Sequence, residues 1–334
     1  VLGGGWGFAA THSGLTCDSL IATEIALANG KTITANDKDN DKNVRDLFWA
    51  IRGGGGGNFG VHTSFTFNLV PVSDVTTFNL VWPARKQVEL MTSLQNMQLK
   101  NAKMISTRTK VRPVRAVRSL KEDPLQRNEL VVETLGLYWG KEAQLREILA
   151  DTFRIEKPDI EDIYEMEYWR ARDYLLTDDP VGMYDLKSSY VEEKLTEDAL
   201  NTMLDWMIKW PGGALRQDNL GILFAIGGKV KEKAVTDTAY VHRNSNYIFE
   251  MERAWAPIDK NEVLDAQALW LSRYYDAMKK YLQPESYVNF PNRDLENWAQ
   301  QYYGKNLAKL SEVKSQYDPD DVFKFKQSIP LKKA

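Results

Sequence analysis

The stretch that decides the reading runs from residue 43 to residue 67: NVRDLFWAIRGGGGGNFGVHTSFTF. Val44, Leu47, Phe48 and Ile51 recur at three- and four-residue spacing, which predicts an amphipathic helix over 44–52. The glycines at 53–57 end that helix, because glycine reaches left-handed backbone conformations at little cost. Phe65 and Phe67 then alternate with Ser64, Thr66 and Asn68, the period of a strand, and Pro71 closes it. The glycine run follows a helix rather than preceding one. It therefore has no helix N-terminus with which to hold a phosphate, and close packing of the loop against a neighbour is its plain reading.

Upstream, residues 20–36 read as two strands joined by a tight turn at Asn29-Gly30. Ahead of them, Gly3-Gly4-Gly5-Trp6-Gly7 lacks Cβ atoms at four of five positions. Such a loop lets backbone N–H groups approach a flat or phosphorylated ligand, and it equally suits a tight structural turn. It matches neither GxGxxG nor a phosphate-binding loop ending in Lys-Ser/Thr. The chain opens at Val1 inside this cluster, without an initiator Met or a signal-peptide pattern, which predicts that residues upstream of Val1 were removed or belong to a separate chain.

Downstream of about residue 75, strands alternate with long amphipathic helices. Strands are expected at 77–82, 129–139, 219–230, 236–243 and 246–255, and helices at 85–100, 141–153, 160–176, 196–209 and 262–282. This is an α+β layout, a β-rich sheet covered by helices. Residues 285–334 return to polar and aromatic clusters. Arg108, Lys110 and Arg112 fit one face of a strand and read as a solvated edge, with a polyanion patch as the other possibility. In YIFEMERAW at 247–255, Tyr247, Phe249 and Met251 face one side, and Ile248, Glu250 and Glu252 the other. Those carboxylates suit a polar substrate pocket or a catalytic base, and a simple solvated face as well.

The 334 residues suggest two domains at about 100–200 residues each. Forty-three Lys and Arg against 46 Asp and Glu exclude a globally basic nucleic-acid binder. No apolar run approaches the roughly 18–20 residues of a membrane span. The single Cys17 excludes an internal disulfide and reads as an inert thiol. His12, His62 and His242 have no metal-ligand spacing, so no metal site is expected, and His62 and His242 read as packed structural side chains.

Taken in order, these segments resemble one family. GGGWGF, THSGLTCDSLIATEIALANGKTIT and NVRDLFWAIRGGGGGNFGVHTSFTFNLVPV are similar to the second half of the FAD-binding domain of berberine-bridge-enzyme-like oxidases, in the vanillyl-alcohol-oxidase (PCMH-type) superfamily. YVNFPNRDL and YYGKNLAKLSEVKSQYDPDDVFKFKQSIP resemble the family's ending, and KSSYV at 187–191 with GGKV…AYVHR at 227–243 its substrate domain. The resemblance implies the C-terminal half of a PCMH-type FAD domain at 1–72, a substrate domain with an antiparallel sheet at 73–284, and a segment at 285–334 returning to the FAD domain. It implies FAD as cofactor and a small-molecule substrate. Hydride would pass from an alcohol carbon, of a sugar or a secondary metabolite, to the flavin, and dioxygen would be reduced to hydrogen peroxide.

By the same resemblance, Gly3, Gly4, Gly5, Trp6 and Gly7 match the glycine loop beside the flavin, Ile25 a strand reaching the adenine side, and Asn289 the Asn of a YxNY motif at the flavin's pyrimidine edge. Glu250 falls at or beside a position that carries Gln or Glu in relatives, with Met251 and Glu252 as alternatives of register. Two departures stand out. The family's covalent flavin anchors, a His and often a Cys, belong upstream of the glycine loop, so they are expected before Val1, and a chain lacking them should hold FAD weakly. The second aromatic of YxNY, a catalytic Tyr in many relatives, is Phe290 here, which cannot transfer a proton. Tyr287 shares its strand face with Asn289 and so does not simply substitute for position 290. Glu250 or a neighbouring Tyr such as Tyr287 is left to do the proton work, or the substrate's proton is acidic enough to need little help. The contrasting possibility is an inactive, flavin-free binding or structural protein on the same fold.

Overall fold

The computed structural model of the protein describes residues 1–119, 121–176, 183–215, 217–218 and 220–332. The first segment carries α1 (Ala10–Ser13), β1 (Leu20–Ala26), β2 (Thr32–Asn36), α2 (Lys42–Ile51) and β3 (Val61–Phe67). Its strands form a three-stranded antiparallel sheet in the order β2-β1-β3, and the hairpin turns at Gly30, whose φ is +79°. The Asp41 side chain caps α2 by accepting from Asn43 N–H, and the apolar stripe ending in Leu47, Phe48 and Ile51 is buried against this sheet.

The second segment runs β4 (Asp74–Trp82), α3 (Gln87–Lys100), β5 (Ile105–Pro113), β6 (Leu130–Tyr138), α4 (Glu142–Ile155), β7 (Ile160–Glu167), α5 (Tyr168–Leu175), β8 (Met183–Val191), α6 (Glu197–Met207), β9 (Gly221–Ala225), β10 (Tyr247–Trp255) and α7 (Asn261–Met278). Its strands make a seven-stranded antiparallel sheet ordered β7-β4-β6-β5-β9-β10-β8. One face carries Phe78, Leu80, Val111, Val132, Leu223 and Phe249 into a large apolar core with α3, α4, α6 and α7. The chain ends with α8 (Trp298–Tyr303) and α9 (Leu307–Tyr317), whose Tyr303 and Leu310 join the core of the three-stranded sheet. The α+β class is as expected. Among the described residues, no helix is long and apolar enough to cross a membrane.

Four local expectations need correction. The predicted helix over 160–176 is strand β7 followed by α5, because pairing with the edge of β4 outweighs the helix-forming composition of its first half. Residues 236–243 are irregular, since their backbone bonds go to the end of α2: Ala239 N–H to Trp49 O and Tyr240 N–H to Arg52 O. Of the strand expected at 219–230, residue 219 lies outside the described residues, and in the rest only Gly221–Ala225 is strand, followed by a 3₁₀ turn. The cationic strand β5 is the middle of the sheet rather than its edge. Ile105, Thr107, Thr109 and Val111 are buried on its other face, and Arg108, Lys110 and Arg112 are half-buried.

Candidate active site

The glycine loop lies where the two sheets meet, pinned from both sides. Thr16 N–H donates to Gly5 O and Cys17 N–H to Gly4 O. From the C-terminal segment, the Tyr287 hydroxyl accepts from Gly5 N at 3.1 Å, Trp6 N at 3.4 Å and Asn289 Nδ2 at 2.9 Å. Residue 287 is only 2% exposed. Burial raises the phenol above its usual range, and the three N–H donors offset part of that rise. Tyr287 and Asn289 do meet, but on a turn closed by Phe290 N–H to Tyr287 O rather than on a strand.

The glycines are used mostly for close approach. A Cβ on Gly3 would fall 2.1 Å from Asn289 Oδ1, and one on Gly5, at φ +88°, 2.7 Å from the Thr16 side chain. Gly7 is different, since a Cβ there would meet nothing within 4 Å. Trp6 turns onto the large sheet. Its Nε1 donates to Ala225 O at 2.7 Å, and its ring meets the Phe224 ring edge-on at 4.8 Å. Phe290 packs on Phe224 at 5.4 Å and on Tyr287 at 5.2 Å, so the aromatic end of the site is continuous.

Glu250 is 4% exposed on β10, opposite Ile222 of β9 and Ser188 of β8. The Ser188 hydroxyl accepts Tyr287 N–H and donates to Phe290 O. Ser188 thus ties the strand beside Glu250 to the turn carrying Asn289 and Phe290. Met251 is fully buried in the opposite core, so it lies away from this face. Ile25 is also fully buried, paired with Ile33 and His62 and packed on the α-carbon of Gly60.

A buried frame lies behind the loop. Arg243 forms a two-pronged ion pair with Asp18, both bonds 2.8 Å, and also donates to Thr238. Burial works against the Arg243 charge, but the Asp18 contact outweighs it and holds the guanidinium protonated. Cys17 is buried and its thiol is pushed up to about 12, mainly by burial. His242 bonds Glu285 at 2.6 Å and Tyr302 O at 2.9 Å, and stacks on Tyr190 at 4.1 Å. Single-residue reading missed Asp18 and Phe224, whose only local signal was a charged or aromatic residue beside an apolar run.

Next to Gly3, an apolar groove of about 450 Å³ is lined by Gly55, Gly56, Val288, Asn289, Tyr302 and Tyr303, among others. Open glycines, an exposed amide on Asn289 and aromatic walls fit one side of a flat heteroaromatic cofactor. The comparisons with known proteins agree. A family profile described as "Berberine and berberine like" matches residues 286–330. The "Uncharacterized FAD-linked oxidoreductase YgaK" of Bacillus subtilis is 30% identical over 334 residues, covering 98% of this chain and 69% of its own length. "Berberine bridge enzyme-like 12" of Arabidopsis thaliana is 29% identical, over 99% of this chain and 64% of its own length. The solved structure of Physcomitrella patens BBE-like 1 superposes with a TM-score of 0.83 at 27% identity, over 100% of this chain and 70% of that one.

Proposed function

Since the chain belongs to the berberine-bridge-enzyme-like family of FAD-linked oxidoreductases, we propose that it oxidises an alcohol carbon of a small molecule held between the Trp6–Asn289–Phe290 edge and the face of the large sheet that carries Glu250. When bound, FAD would supply the acceptor for a hydride from that carbon, with dioxygen as the terminal acceptor reduced to hydrogen peroxide. Gly7, Asn289 and the groove walls would hold the cofactor from this side. Glu250 takes the proton from the substrate hydroxyl. The single observation that carries the reading is the register placing Glu250 directly across from Ser188, whose hydroxyl anchors both Tyr287 and Phe290.

Tyr287 positions rather than reacts in this scheme. Its oxygen already accepts from three N–H groups and is shut away from solvent. What it contributes is order, by fixing the Asn289 amide and the loop backbone before anything binds. Trp6, Phe224 and Phe290 exclude water from the reacting end and present ring faces and edges to a substrate carbon. The test is to load the protein with FAD and assay hydrogen peroxide and flavin bleaching with a panel of sugars, benzylic alcohols and phenols. Anaerobic bleaching followed by stoichiometric peroxide on readmitting oxygen supports the reading. Loaded protein whose flavin no alcohol reduces overturns it.

A further inference from the structure

The face of the large sheet turned away from the helices is largely buried, and it carries polar groups in a particular order. The register lines up Glu133 (β6), Lys110 (β5), Ile222 (β9), Glu250 (β10) and Ser188 (β8) in one row across the strands. The neighbouring row reads Leu135, Arg108, Phe224, Ile248 and Tyr190, and its Phe224 carries Trp6 and Phe290. Adjacent strands lie about 4.8 Å apart and residues rise about 3.4 Å each, so the Lys110 backbone is roughly 8 Å from Phe224 and roughly 10 Å from Glu250.

Lys110 Nζ is 3.2 Å from Glu133 Oε1, and Arg112 Nε is 2.5 Å from Glu133 Oε2. Among the described residues, Glu133 is the only carboxylate within 4 Å of either cation. Two positive charges therefore share one negative charge. All three side chains are 13–17% exposed, shielded enough for the surplus charge to act and open enough to be reached. Burial pushes the Glu133 pKa up, but Lys110 and Arg112 outweigh it and hold the carboxylate ionised.

We propose that Lys110 and Arg112 form an anion subsite, and that the substrate is an alcohol bearing a carboxylate several bonds from the carbon that is oxidised. This rests on the oxidase reading above and names its substrate class. Lys110 and Arg112 hold the carboxylate with charge-assisted hydrogen bonds, while the carbinol extends along the row toward Glu250. A neutral sugar leaves the surplus charge unused.

The test titrates benzoate and its neutral analogue benzamide into the FAD-loaded protein by calorimetry at low salt. Benzoate should bind about tenfold tighter than benzamide, as a charged hydrogen bond predicts. Lys110→Met should weaken benzoate about tenfold, and Glu133→Gln should tighten it severalfold, because one more positive charge is then unbalanced. Misfolding weakens binding in both variants, so only a real subsite gives opposite signs. Equal binding of benzoate and benzamide, or shifts of the same sign in both variants, overturns the proposal. A second arm compares turnover of 4-(hydroxymethyl)benzoate with its methyl ester, the acid being favoured about tenfold through KM. Benzoate binding of the expected pattern without oxidation of either alcohol would leave the subsite standing and remove the oxidase reading.

Discussion

The two faces of the seven-stranded sheet are made by the same strands and obey different rules. Along β10, Tyr247, Phe249 and Met251 enter a core closed by α3, α6 and α7, while Ile248 and Glu250 face the glycine loop and the C-terminal turn. Along β5, Thr109 and Val111 are buried and Lys110 and Arg112 carry charge. One face is packed against helices as an apolar core. The other is roofed by loops that arrive from both ends of the chain, and it keeps ionised groups at partial exposure. The contrast teaches that a one-residue step along these strands moves a side chain from the helix-covered core to the face proposed to do the chemistry.

The sharpest break in that comparison comes from Glu250 and Phe249, which are sequence neighbours. Glu250→Gln should lower kcat by about 10²–10⁴-fold, the usual worth of a general base. Its urea midpoint should move little. Phe249 is 0% exposed, and Phe249→Ala should cost about 3–5 kcal/mol of stability through lost burial and a residual cavity. The material that remains folded should turn over normally. If Phe249→Ala instead lowers kcat at constant stability, the division between the faces is wrong.

The Asp18–Arg243 pair extends the comparison to the roof. Asp18→Asn leaves a buried guanidinium without its carboxylate partner, which should destabilise by about 3–5 kcal/mol. Because Asp18 follows the two residues whose N–H groups hold Gly4 and Gly5, the same variant should also loosen the loop. Flavin affinity, read as dye released on dilution, should fall along with stability. A drop in stability with unchanged affinity would make the pair a strut of the fold alone. Phe290→Tyr should change kcat by less than about twofold if Glu250 is the base as proposed, because a phenol serves as a base only where it reaches the reacting proton. A marked acceleration would move the base site to position 290.

How much of this was legible in the sequence follows the range of the interactions. The α2 helix, the hairpin at Gly30 and β10 with its two faces are set by spacing within a few residues, and they were readable. The glycine loop and Asn289 were readable only through resemblance to a family, because their meeting joins residues 282 or more positions apart. The placement of β5 was misread for the same reason. Its alternation was visible, but which strands flank it depends on pairings with 130–138 and 221–225. Asp18 and Arg243, 225 residues apart, could not be paired from composition. Residues 236–243 read as a strand because their apolar content is strand-like, while their hydrogen bonds go to a helix end.

The smallest expected effect tests whether the charged face contributes to folding at all. The Glu133 carboxylate has a lower pKa in the folded protein than the ordinary 4.5, because Lys110 and Arg112 outweigh its burial. The unfolded chain therefore binds the proton first as pH falls. The contribution is fully present above 4.5 and is lost as pH falls through the depressed folded value. A partly exposed, salt-screened group of this kind is worth under about 1 kcal/mol. Urea midpoints at about pH 6 and about pH 3.5 should differ by more in the parent protein than in Glu133→Gln, whose amide does not titrate there. Equal differences would mean that the carboxylate gives the fold nothing as the pH changes. Its place between two cations would then be explained by what those cations hold, which is the sharper form of the contrast between the two faces.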